Sequence, residues 1–191
     1  ALKYKDHSIE VKVINQAWGD LNSEGTTIHG GLSNDIKVET AFPLPAMAVT
    51  IVGEAISESP QILQDVFQEV KKAEASILGV SINHNSLILY LPEKSAKELL
   101  EALHSIVINH KETLALAVSK NLAFIRIKGV GLEETPGIIS RIAESLYSEG
   151  INIFGIFTIT SSVSVFIDLK DKEKALRLMQ KSIRANRGKG N

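Results

Sequence analysis

Residues 129–137, together with Asn152, hold the clearest opportunity for ligand chemistry in this chain. The run reads Gly129-Val130-Gly131-Leu132-Glu133-Glu134-Thr135-Pro136-Gly137, and a helical pattern follows it. The start of a helix presents unpaired N–H groups and the positive end of a dipole, so such a place suits an anion. Glycines at 129, 131 and 137 let a ligand approach the backbone closely. The Asn152 amide can both donate and accept hydrogen bonds. A free amino acid fits these requirements: its carboxylate would take helix N–H groups, and its amine would take carbonyls or the carboxylates of Glu133 and Glu134. The same spacing also suits a plain tight turn with two solvated Glu. Turn chemistry does not fix function, so on the residues alone both readings stay open.

Five elements must position this run. Ala123, Ile125 and Ile127 alternate with their neighbours, which predicts a strand over 122–128. Thr135 is a suitable N-cap and Pro136 suits the first helical position. Ile138, Ile139, Ile142, Ala143 and Leu146 then form a helical stripe, and Gly150 is the expected stop. Residues 151–158 and 162–168 read as two further strands. Asp171 is expected to cap a last helix carrying Ala175, Leu176, Leu178, Met179 and Ile183.

This β-α-β-β-α order occurs twice. Gly53 falls on Gly129 at a shift of 76 residues, Ser59-Pro60 on Thr135-Pro136, Ile62 and Val66 on Ile138 and Ile142, and Gly79 on Gly155. The first copy predicts a strand at 46–53, a helix at 60–74, strands at 75–82 and 86–91, and a helix at 95–108. Residues 113–119 add a fourth strand there. The second copy has no such strand after its last helix, because the tail is polar and rich in Gly. An open sheet edge would be a liability, so residues 36–42, ahead of Pro43-Leu44-Pro45, are expected to supply it. The fold class expected is α+β: two ferredoxin-like βαββαβ sandwiches, antiparallel sheets with helices on one face. In the first copy Gln61 replaces Gly137, Ser76 replaces Asn152, and Gly53-Glu54-Ala55 replaces the Gly-x-Gly loop. A ligand is therefore expected in the second copy.

At these residues the chain resembles the ACT domain, the βαββαβ small-molecule sensor of amino-acid metabolism. The segment 129–156 is similar to the aspartate kinase version, which runs Gly-x-Gly, Pro-Gly, a helix, then Gly-Ile-Asn-Ile. Residues 9–15 followed by Gly25-Thr26-Thr27-Ile28 are similar to the end of the aspartate kinase catalytic domain. The resemblance implies a regulatory region that binds lysine or threonine as an end-product effector and gives feedback control of aspartate-family biosynthesis. It implies Gly131, Leu132, Pro136, Gly137, Asn152 and Ile153 as ligand contacts, and Glu134 and Thr158 complete the candidate set. The family's Ser-x-Ser-Glu stretch is replaced here by Thr158-Ile159-Thr160-Ser161, without the Glu. The expected layout is a remnant of the kinase domain at 1–32, a first ACT domain at 46–118, a second built from 33–45 plus 119–184, and a disordered tail at 185–191. A homodimer through ACT domains and an aspartate kinase catalytic domain or subunit are the expected partners.

Composition narrows the classes. The chain has 191 residues, 44% hydrophobic and 23% charged, with a net charge of −1. Its Lys and Arg are spread out, unlike a nucleic-acid footprint. It has no cysteine, which fits a reducing, cytoplasmic setting and removes thiolate chemistry and Cys-based zinc sites. No apolar run approaches the roughly 20 residues of a membrane span. The start Ala1-Leu2-Lys3-Tyr4, without Met, suggests a processed or truncated product. His7, His29, His84, His104 and His110 show no metal-binding spacing, and no nucleotide loop is present. No catalytic residue, metal or cofactor is expected. An RNA-binding protein of the same topology would stack bases on strand aromatics, and only Phe124 and Phe166 are offered. The remaining alternative is a dimerisation module that binds no effector.

Overall fold

Alternation along one long strand explains most of the architecture. In β3 (Lys37–Gly53), Met47, Val49 and Ile51 point to one face and are fully buried, while Ala46 and Ala48 point to the other. The structure is a computed structural model that describes residues 11–14, 17, 22, 24–28, 36–129, 132, 136–159 and 161–184. Two units are resolved, residues 1–36 and 37–191. In the first, β1 (Val11–Ile14) and β2 (Gly25–Ile28) pair antiparallel, with Val11 opposite Ile28.

Among its described residues the second unit holds four α-helices and one six-stranded antiparallel sheet. After β3 come α1 (Pro60–Lys72), β4 (Gly79–Asn83), β5 (Ser86–Pro92) and α2 (Ala96–Asn109). Then follow β6 (Thr113–Lys128), α3 (Ile138–Tyr147), β7 (Ile153–Ile159), β8 (Ser162–Asp168) and α4 (Lys172–Arg184). The strand order is β4-β5-β3-β6-β8-β7.

Two strands are shared between the halves. Residues 46–53 of β3 pair with β5 on one side and with residues 113–119 of β6 on the other. Residues 37–42 of β3 pair instead with 124–128 of β6, so Val38 lies opposite Ile127. Each half therefore has the βαββαβ strand order, and the strand missing from the second copy comes from upstream, as expected. Pro43-Leu44-Pro45 does not break the chain into two strands, contrary to the sequence reading. The ladder shifts register between Phe42 and Ala46, and the prolines sit in that shift, where no ladder donor is needed. Residues 113–119 and 122–128 likewise form one strand, with Asn121 at φ 56° between them.

The first half's core lies between its sheet and α1 and α2. Met47, Val49 and Ile51 meet Ile62, Val66, Val70, Leu89, Leu99 and Leu103 there. In the second half Ile125, Ile127, Ile138, Ile142, Leu146, Val165, Ala175 and Met179 are buried. Full burial of each such aliphatic side chain is worth about 1.5–3 kcal/mol.

The face of the sheet away from the helices also folds onto itself across the two halves, which the sequence reading did not anticipate. Tyr90 of β5 stacks on Phe166 of β8 with ring centroids 4.1 Å apart, and Phe166 stacks on Phe124 at 4.5 Å. Strands β3 and β6 lie between β5 and β8, a separation of about 14 Å in a flat sheet. The sheet must fold over, and the register shifts in β3 and the left-handed Asn121 supply the bend. Ala46, Ala48, Leu122, Phe42 and Phe157 complete this second core.

Candidate functional site

The candidate residues gather at two ends of the second half. Strand β6 ends at Lys128, opposite Ser162, and the Gly129 amide donates to the Ser161 carbonyl at 3.0 Å. At this end lie Leu132, which is buried, the exposed Pro136 and Gly137, and the start of α3. Thr158 is exposed and pairs with Val163, next to Ile159 opposite Ser162, so it belongs to the same end. Asn152 and Ile153 belong to the other end. Asn152 is exposed and follows the last turn of α3, while Ile153 opens β7 opposite Ile167. The ten residues of α3 separate the two ends by about 15 Å. One chain therefore does not bring Asn152 and Gly137 together. Gly131, Glu133, Glu134, Thr135 and Trp18, and the tail 185–191, lie outside the described residues.

The start of α3 departs from the sequence reading. Pro136 lies ahead of its first turn rather than in it, and the expected Thr135 cap falls outside the described residues. The N-cap position belongs to Gly137, at φ 75° and ψ 11°, with no side-chain cap, and the helix begins at Ile138. Glycine meets that left-handed backbone without a Cβ penalty. In the first half the expected arrangement does occur: Ser59 is the N-cap position and Pro60 the first helical residue of α1. Asp171 immediately precedes α4, at the end of a short turn. Asp168 accepts from the Lys170 amide at 3.1 Å and starts a short 3₁₀ turn, Leu169–Asp171, that leads into α4.

Arg141 is a candidate that sequence reasoning missed. Its amide donates to the Gly137 carbonyl at 3.1 Å, and its Nη1 reaches the Pro136 carbonyl at 3.4 Å. Its Nε is buried and has no hydrogen-bond partner among the described residues. A guanidinium with a desolvated, unpaired N–H is costly unless something accepts from it. A carboxylate is the geometric match for that fork. In sequence Arg141 falls between the apolar positions of an amphipathic helix, where a solvated Arg is ordinary, so nothing there singled it out.

A concavity lies between α1 and α2. It has a volume of about 380 Å³ and is lined by Asp65, Glu69, Ser105 and His110, among others. Its carboxylates already have partners. Gln61 donates to Asp65 at 2.8 Å, His110 Nε2 lies 2.9 Å from the other Asp65 oxygen, and Lys72 pairs with Glu69. His110 thus ties α1 to the end of α2, a structural use. Among the described residues no group of three His, Asp or Glu side chains could hold a metal. No helix among them is long and apolar enough to cross a membrane.

Comparison with known proteins finds similar folds. Residues 117–181 match the ACT domain family, from within β6 through most of α4. No curated protein sequence matches the chain. Among solved structures, the regulatory subunit of aspartate kinase from Thermus flavus is similar at 22% identity and a TM-score of 0.65, over 78% of this chain and 96% of that one. A putative C-terminal regulatory domain of aspartate kinase from Porphyromonas gingivalis W83 is similar at 20% identity and a TM-score of 0.58, over 78% of this chain and 98% of that one. Aspartokinase III of E. coli, in complex with lysine and aspartate in its T-state, is similar at 18% identity and a TM-score of 0.54, over 91% of this chain and 38% of that one. The fold is the ferredoxin-like α+β ACT fold.

Proposed function

We propose that this chain is the regulatory region of an aspartate kinase, binding an end-product amino acid, lysine or threonine, and carrying no catalytic site of its own. The observation that carries the reading is the buried Nε of Arg141, without a partner among the described residues, beside the Pro136-Gly137 turn. An amino-acid carboxylate there would accept from Arg141 and from the first amides of α3. The likeness in fold to aspartate kinase regulatory chains supports the same role.

The site is completed by a second copy. Strand β7 is an edge of the six-stranded sheet. Two such edges paired antiparallel about a two-fold axis set the Asn152 end of one chain against the Thr158 and Gly137 end of its partner. Asn152 and Ile153 would then face the effector's amine and side chain from across the interface. This reconciles a motif that names both ends with a chain that holds them about 15 Å apart. The layout that goes with it is a kinase-domain remnant at 1–32, ACT domains at 46–118 and at 33–45 plus 119–184, and a cytoplasmic setting with a kinase catalytic domain or subunit as partner. Effector binding would shift the packing between copies and so the state of the attached kinase, a coupling of about 1–3 kcal/mol.

Isothermal titration of the chain with the twenty amino acids tests this, alongside light scattering. Saturable binding of lysine or threonine, lost in Asn152→Ala and in Gly137→Gln, is the expected result. No binding by a chain that is still dimeric would favour a dimerisation module and overturn the effector site.

A further inference from the structure

Tyr90 belongs to the first half but touches the strand that opens the second half's candidate site. Its hydroxyl donates to the Phe154 carbonyl at 2.7 Å, across 64 residues of sequence. Phe154 is the extra residue of a bulge: the β7–β8 ladder passes from Ile153 opposite Ile167 to Gly155 opposite Phe166. A bulge leaves a residue outside the regular ladder, and the phenol supplies the carbonyl's partner. Gly155 makes the approach possible, since a Cβ there would collide with the Tyr90 hydroxyl. Gly79, opposite Tyr90 in β4, lies against the same ring cluster, where a Cβ would make only ordinary contacts. Phe166 stacks on one side of the Tyr90 ring, and Phe157 meets it edge-on at 5.4 Å.

We infer that Tyr90 is a positioning residue: by holding the Phe154 carbonyl it fixes the start of β7, and with it Asn152 and Ile153, to the packing of the first half. The inference rests on the effector-site reading for its consequence, though not for its geometry. Burial raises the Tyr90 pKa above its ordinary value, so the phenol keeps its proton and remains a donor at neutral and mildly alkaline pH. The bond also turns the bulge carbonyl toward the face of the sheet and away from the edge. Regular edge pairing with a second copy would then run from Gly155 to Ile159, leaving Asn152 free to meet a ligand. Movement between the two halves would break or strain this one contact before it disturbed the ladder, so the first half can report on the second half's site.

The test uses Tyr90→Phe, which keeps the ring stack and removes only the hydroxyl, with Gly155→Ala as a second variant that pushes the hydroxyl away. Amide hydrogen exchange is measured on the free chain, and lysine and threonine binding by titration. Expected are exchange about fivefold faster at residues 153–157, with β5 unchanged, and amino-acid binding weakened about fivefold in both variants. Unchanged exchange at 153–157 overturns the proposal. So does unchanged affinity in Tyr90→Phe when Asn152→Ala abolishes binding. Should the wild-type chain bind neither amino acid, the sensor reading falls, and the exchange measurement alone decides whether Tyr90 holds the bulge.

Discussion

Glu74 and Gly150 occupy the same place in the two halves and share a left-handed backbone, at φ 48° and φ 70°. Each follows the last turn of a helix, and the residue after each closes that turn: Ala75 donates to the Val70 carbonyl and Ile151 to the Leu146 carbonyl. Glycine adopts this conformation freely, whereas Glu pays for its Cβ. Glu74→Gly is therefore expected to stabilise the chain by about 1 kcal/mol, and Gly150→Ala to destabilise it by a similar amount. For a protein of this size that is a change of about 2–4 °C in Tm. Thermal unfolding of the two variants checks both signs. A Glu74→Gly variant that melts lower than wild type would refute the strain argument.

The same pair marks how far the sequence could be read. Gly150 announces the end of α3, while Glu74 hides an identical turn. The second half was legible because period-two and helical apolar patterns, Gly150 and Asn152 all agree there. The upstream strand at 36–42 was legible because an open edge demanded one. The continuous strands β3 and β6 were not, since Pro43 and Pro45 read as stops and only the tertiary pairing turns them into a register shift. The folding-over of the sheet was not either, because Tyr90 and Phe166 sit at polar-face positions in their own strands and reveal themselves only as partners. Gly137 read as a helix residue because Thr135-Pro136 is a good start in isolation, and the first half does use Ser59-Pro60 in that way.

The second core makes a strong stability prediction. Phe166 is fully buried, stacked between Tyr90 and Phe124. Phe166→Ala is expected to cost about 3–5 kcal/mol, from lost transfer energy and the cavity left behind. Phe154, exposed on β7, should tolerate the same change within about 0.5 kcal/mol. Urea unfolding separates the two. Equal effects would mean that the open faces of the two halves do not pack in solution.

Two surface carboxylates predict a pH response with a defined sign. The hydrogen bond from Lys174 and then its charge hold Glu149 below its ordinary range, and the Lys170 amide and side chain do the same for Asp168. A depressed folded pKa means stability present above the unfolded value, near pH 4, and lost as pH falls through the folded value. Both groups are exposed, so the effect is small and weakens in high salt. In an NMR titration, Lys174→Met should move the Glu149 midpoint up toward its ordinary value and leave Asp168 where it is. A Glu149 midpoint that does not move would show that the 2.7 Å ion pair does not persist in solution.

A site shared between copies predicts complementation. Asn152→Ala and Gly137→Gln each damage one end, so either homodimer loses both sites. A mixed dimer carries both lesions in one site and leaves the other site intact. Co-expressed chains carrying different tags, purified through both, are expected to bind one effector per dimer with wild-type affinity. Were the two ends to serve a site within one chain, the mixed dimer would bind nothing.

Arg141 separates binding from stability. Its Nε is buried and has no partner among the described residues, beside the Pro136-Gly137 turn. Replacing such a group with an apolar side chain of similar length removes its desolvation cost. Arg141→Met is therefore expected to leave Tm unchanged or slightly higher. Effector binding should fall by about 10-fold or more, because a carboxylate loses a charge-assisted bond of about 1.5–3 kcal/mol. Arg141→Lys keeps the charge but not the planar fork and should recover only part of the affinity. A lowered Tm in Arg141→Met together with unchanged affinity would make Arg141 a structural clasp on the turn and remove it from the site. Loss of affinity at constant or raised Tm is the signature of a residue held unsatisfied for its ligand.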